Sequence, residues 1–223
     1  MTRTCLKNRI LPSYTKGEEI FNSVSHIVGG AWGIFTLVLC IIVAATKGDA
    51  ISMTCGIIFG VSMIALYTVS SIYHALPCGM AKKVFQVLDH CTIYFLIAGT
   101  YTPMLLCSLI KTAPLAAYIT FGVVWGLAIL SATLNAIDLA KYKAFSMIGY
   151  IGMGWAIIFN IGSMYRALGA AGFALLLGGG IMYTVGVLFY KIGSNKRYFH
   201  SVFHLFVLLG SILQSFSVIF YAL

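Results

Sequence analysis

Seven apolar, almost uncharged stretches follow one another with only short connections between them, at 21–45, 51–74, 84–108, 113–134, 144–164, 170–190 and 198–222. Each is about the 20 residues that a helix needs to cross the hydrocarbon core of a bilayer. The connections carry the charges and turn formers: Lys47-Gly48-Asp49, Pro77-Cys78-Gly79 with Lys82 and Lys83, Lys111 to Pro114, Asp138 to Lys143, Arg166 to Gly169, and Lys191 to Arg197. No connection is long enough for a soluble domain. The period-2 alternation of a membrane barrel is absent. The expected fold is therefore all-α, a polytopic seven-helix transmembrane bundle over 21–223 preceded by a basic segment, 1–20. Composition agrees. The chain is 61% hydrophobic and 9% charged, against roughly 25% charged in a soluble domain, which excludes both a soluble fold and a disordered chain. The first stretch is too long for the apolar core of a cleaved secretory signal and is expected to be a spanning helix.

The formal charge of +9 would suggest nucleic acid in a soluble protein, but here too little polar surface remains to form such a face. It works instead as a topology signal. The N-terminal segment (Arg3, Lys7, Arg9, Lys16) and the second, fourth and sixth connections (Lys82, Lys83, Lys141, Lys143, Lys191, Lys196, Arg197) hold eleven cations. The first, third and fifth hold Lys47, Lys111 and Arg166. Positive charge stays in the cytoplasm, so the N-terminus is expected inside and the C-terminus outside, in a plasma or inner membrane. The six cysteines contain no CxxC pair. They are expected as small packing residues, and Cys5 on the cytoplasmic side is not expected in a disulfide.

An ionisable group inside a span is costly and points to function. Among the five acids only Asp89 interrupts a span; Glu18, Glu19, Asp49 and Asp138 lie at helix ends or in connections. On the topology above, His74 closes the second span, Asp89 lies about 9 Å into the third, and His200 and His204 open the seventh about 4 to 10 Å past Arg197. All lie at one cytoplasmic depth. His200 and His204 are four residues apart, on one helix face, where both imidazoles reach one ion. An H-x-x-x-H pair alone is a weak signal, and the matching depth of His74 and Asp89 strengthens it. Three histidines with an open fourth position form the ligand set of a catalytic zinc. Asp89 is suited to hold and deprotonate a water on the metal. Ser70, one turn from His74 on the same face, is placed to orient that water or a substrate carbonyl.

These residues resemble the three-part signature of the hemolysin III proteins, the adiponectin and progestin receptors and the alkaline ceramidases: Ser70-x-x-x-His74, Asp89 within Phe85 to His90, and His200-x-x-x-His204. The run from Asp89 to Tyr94, the run Ala98 to Pro103, and Glu18-Glu19 followed by Asn22 to His26 are similar to the bacterial hemolysin III branch in particular. The resemblance covers the whole chain. It implies a seven-helix bundle with Zn2+ held by His74, His200 and His204, a water held by Asp89, and hydrolysis of a membrane lipid amide or ester. Two other functions stand beside it: a receptor-like or regulatory protein in which zinc is structural, and a cytolysin or channel. Against a channel, the spans lack a repeated polar face.

Other polar positions receive structural expectations. His26 and His90 are expected next to the metal or at helix interfaces, with His90 turned about 100° from Asp89. Glu18 and Glu19 suit a helix N-terminus, and Pro103 marks a kink. Asn135, Asn160 and Gln214 suit interhelical hydrogen bonds, and Gly178 to Gly180 suit a close helix crossing.

Overall fold

The structure is a computed structural model that describes residues 4–193 and 196–223; Arg3, counted above among the cytoplasmic cations, lies outside the described residues. Helices dominate, and the described residues contain no strand. They are α1 (Lys16–Lys47), α2 (Ala50–Ala75), α3 (Met80–Pro103), α4 (Pro114–Asp138), α5 (Lys143–Gly154), α6 (Ile161–Gly193) and α7 (Phe199–Ser217). The chain is a multi-span membrane protein: six helical runs are long and apolar enough to cross a bilayer.

Local chemistry sets the boundaries. Thr15 and Glu18 close α1 in a capping box, in which the Thr15 side chain accepts from Glu18 N and Glu18 accepts from Thr15 N. Asp49 starts α2 by accepting from the backbone amides of Ile51 and Ser52. The Ser52 hydroxyl and the Ile51 amide hold the Asp49 carboxyl below its usual range. Pro103 ends the regular part of α3, and the chain continues as a π-helical turn, Met104–Ser108, the loosening expected of a membrane-helix proline.

The fifth expected stretch is not one helix. α5 ends at Gly154, a 3-10 turn spans Ala156–Asn160, and α6 begins at Ile161. Two tethers hold this bend. Tyr101 OH donates to Gly154 O and accepts from Ile157 N, both at 3.0 Å, and Trp155 Nε1 donates to Thr184 Oγ1. Within α6 the helical geometry breaks at Gly169 (φ 68°, ψ 175°), inside the connection expected at 166–169. Only glycine adopts that φ without strain.

α1 packs on α2 and α7, α2 on α3, α3 on α4, and α6 on α7. Large aliphatic and aromatic side chains face outward, among them Ile27, Val28, Ile34, Phe35 and Val38 on α1. The interior holds small and hydroxyl-bearing residues, as expected where lipid is the solvent and helices associate through close packing and hydrogen bonds. Ser215 accepts from Trp32 Nε1 and Thr36 Oγ1, and Tyr67 OH donates to Ser211 Oγ at 2.7 Å. Gly179 of α6 faces Gly210 of α7 so closely that a Cβ at Gly179 would stand 2.9 Å from Gly210 O. This is the close crossing expected of the triglycine.

Candidate metal centre

The last turn of α2 and the first turns of α1 and α7 meet at one end of the bundle. His74 comes from α2, and His200 and His204 from consecutive turns of α7. One ring nitrogen from each lies within 4.8 Å of the others. His200 Nε2 and His204 Nε2 are 3.0 Å apart. All three are buried, with His74 and His204 each 2% exposed.

The far side of the His74 ring is tied down, whereas His204 Nδ1 is buried without a partner. Glu19 Oε2 lies 2.7 Å from His74 Nδ1. An ionised carboxylate only accepts, so Nδ1 carries a proton, and in the neutral imidazole the lone pair is then on Nε2. That Nε2 is buried and has no hydrogen-bond partner. Glu19 Oε1 binds Lys82 Nζ at 2.7 Å, and Lys82, 2% exposed, also donates to Leu76 O at 2.9 Å. The buried charges of Glu19 and Lys82 thus compensate each other while orienting the imidazole. A buried imidazole nitrogen without a partner, near two further imidazole nitrogens, fits a divalent ion that favours histidine.

The start of α7 is set by α1. Glu18 Oε1 accepts from Tyr198 N at 2.6 Å and so fixes Tyr198, whose φ is 61°, two residues before His200. Ser201 Oγ donates to Asn22 Oδ1 at 2.7 Å. His26 stacks on His204 with centroids 3.8 Å apart, and both His26 nitrogens are buried without partners. From the N-terminal segment Tyr14 stacks on His200 at 4.9 Å. Burial pushes the Tyr14 phenol up, so it stays neutral over the site.

A cavity of about 390 Å³ opens beside the cluster. His200, His204, His26, Ser70 and Asp89 are all on its wall. Most of the rest of its wall is apolar, with residues such as Leu66, Ile97, Phe173 and Leu176. Ser70 is 2% exposed. Asp89 lies 3.8 Å from His90, whose Nδ1 approaches Gln86 O at 2.8 Å. Among the polar positions singled out on helices, Asn135 accepts from Ser146 Oγ and Asn160 donates to Thr120 Oγ1, the interhelical bonds expected of them.

Glu19, Lys82 and Tyr14 were not among the expected site residues. The trace of Glu19 in the sequence is its spacing: 19, 22 and 26 are i, i+3 and i+7, one face of α1, and that face meets α2 and α7.

A family profile described as Haemolysin-III related matches residues 14–215. Hemolysin-3 of Bacillus cereus is 39% identical over 206 residues, 92% of each chain. The Hemolysin-3 homolog of Bacillus subtilis is 38% identical over 208 residues, 93% of this chain and 96% of the relative. More distantly, the Monocyte to macrophage differentiation factor of Homo sapiens is 28% identical over 168 residues, 72% of this chain and 67% of the relative.

Proposed function

Because the chain belongs to the haemolysin-III-related family of membrane proteins, we propose that it is a zinc-dependent hydrolase of a lipid amide or ester. The observation that carries this reading is His74: its Nδ1 is committed to Glu19, and its buried Nε2 has no partner beside the two α7 imidazoles. His74, His200 and His204 would hold the ion. Zinc there supplies Lewis acidity and lowers the pKa of a water it binds.

The protein's own groups have distinct tasks. Asp89, on the wall of the same cavity as His200 and His204, accepts the proton of the attacking water and returns it to the leaving group. The Ser70 hydroxyl donates a hydrogen bond to the carbonyl oxygen as charge develops there. The apolar part of the cavity takes an acyl chain and excludes water from the reacting end. Tyr14 covers the outer side of His200. The substrate class follows the resemblance to the alkaline ceramidases.

The topology belongs to the same proposal. The run Lys143–Gly193 has 51 residues, about 75 Å of helix against a hydrocarbon core of about 30 Å. With its break at Gly169 it forms two crossings, which makes seven in all. The cation distribution then puts the N-terminus and the histidine cluster at the cytoplasmic side of a bacterial cell membrane.

Purified protein should release fatty acid from a lipid amide or ester, and Asp89→Asn should reduce turnover by about 10²-fold or more while retaining zinc. Equal turnover in Asp89→Asn and wild type would overturn the proposal. A second reading is a receptor-like protein with structural zinc. It draws on the meeting of α1, α2 and α7 at the cluster, where an ion would staple three helices. It predicts that His→Ala substitutions loosen the bundle and that no turnover is found in wild type.

A further inference from the structure

Arg9 is an unusual cation for the end of a membrane protein. It is 9% exposed, and its Nη1 is buried without a hydrogen-bond partner. Its burial is enforced by the segment around it: Thr4 N donates to Asp138 Oδ2 at 2.7 Å, and Lys83 Nζ donates to Lys7 O. These bonds strap residues 4–9 across the ends of α3 and α4. Asp138 is the acid whose charge Arg9 feels, but its carboxylate accepts from the backbone amides of Thr4 and Lys141. No ion pair joins it to Arg9 among the described residues. Burial lowers the Arg9 pKa and the charge of Asp138 opposes that; from its ordinary value an arginine remains a cation at neutral pH.

Arg9 lines the cavity beside the histidine cluster, and Lys143 lines the same cavity. Lys143 is the first residue of α5, whose N-terminus has no side-chain cap. The first amides of α5 are therefore open, at the positive pole of the helix. A buried guanidinium with an unused N–H, a lysine and an uncapped helix start share the wall of a chamber that is otherwise mostly apolar and that Asp89 also lines. Positive charge in a low-dielectric wall needs a counter-charge, and a guanidinium fork matches phosphate oxygens.

We propose that Arg9, Lys143 and the N-terminus of α5 form an anion subsite that takes the net-negative phosphate headgroup of a lipid whose acyl chain lies in the cavity. This rests on the lipid-binding part of the proposed function and is independent of zinc and of turnover. The headgroup binds at the mouth and the chain extends past the histidine cluster, so the subsite selects which lipids present a scissile bond to it.

The test is binding to the purified full-length protein in neutral detergent, read by native mass spectrometry. The probes are phosphatidic acid, phosphatidylcholine with the same chains, and inorganic phosphate alone. Wild type should bind phosphatidic acid about tenfold tighter than phosphatidylcholine, a difference of about 1.4 kcal/mol. Arg9→Gln and Lys143→Gln should each remove most of that preference. Arg9→Lys should keep part of it, and Lys111→Gln, at the other end of the bundle, should keep all of it. Lys143 is exposed, so its substitution reports on the site without threatening the fold. The readout is binding and not turnover, which separates failure of the subsite from failure of the hydrolase reading. An unchanged preference in Lys143→Gln would overturn the proposal. So would inorganic phosphate that binds wild type as tightly as the lipid, because the site would then take a free anion.

Discussion

Glu19 holds His74 with one carboxylate oxygen and Lys82 with the other, both at 2.7 Å. The pair of contacts explains how an acid and a lysine are kept inside an apolar bundle, and why the buried His74 ring turns its Nε2 towards the other two histidines. Removing the carboxylate charge in Glu19→Gln should lower zinc affinity about 10- to 100-fold, measured by competition with a chelator. In Glu19→Ala the buried Lys82 also loses its counter-charge, so thermal stability should fall more than in Glu19→Gln. An unchanged zinc affinity in both variants would show that His74 needs no such partner.

His26 touches the cluster without joining it. It stacks on His204, while the nitrogens that share one locus belong to His74, His200 and His204. His26→Phe, which preserves the stack, should keep about one zinc per chain, whereas His74→Phe should lose it. Loss of metal from His26→Phe would place His26 among the ligands.

How much of this site was legible in the sequence depends on where each residue's partner lies. His200 and His204 announce themselves by their four-residue spacing, and His74 by depth once the spans are counted; Asp89, read at the same depth, lies on the wall of the cavity that His200 and His204 also line. Those four positions required only helix geometry and the cost of polar groups in lipid. Glu19 was hidden because an acid in the first turn of a helix is already explained by the helix dipole, and its true partner is on another helix, 55 residues away. Arg9 counted as a topology charge, since its burial depends on a bond from Thr4 to Asp138 across 134 residues. The bend after α5 is likewise fixed by Tyr101 on α3, which no local pattern around Gly154 reveals.

The crossing of α6 and α7 leaves no room for a side chain. A Cβ on Gly179 would stand 2.5 Å from Gln214 Cγ and 2.9 Å from Gly210 O. Gly179→Leu should therefore destabilise the bundle by about 1–3 kcal/mol, seen as a lower unfolding midpoint in detergent. Gly180→Leu should be far milder, because a Cβ there meets nothing within 4 Å. Similar effects at the two positions would contradict this crossing.

Sidedness has a direct check in cysteine labelling. Cys5 and Cys78 are exposed and free, and the cation distribution assigns both to the cytoplasm. A membrane-impermeant maleimide applied to intact cells should spare them and label Lys111→Cys. Permeabilised cells should show labelling at all three. Labelling of Cys78 in intact cells would reverse the orientation and put the histidine cluster on the outer side.

The measurement that bears most directly on the central claim is the metal content of the purified protein, wild type beside His200→Ala and His204→Ala. The proposed site predicts about one zinc per wild-type chain and none in either variant, with α-helical content retained. A wild-type protein that is folded and free of metal after reconstitution with zinc, or variants that still hold one zinc per chain, would contradict it.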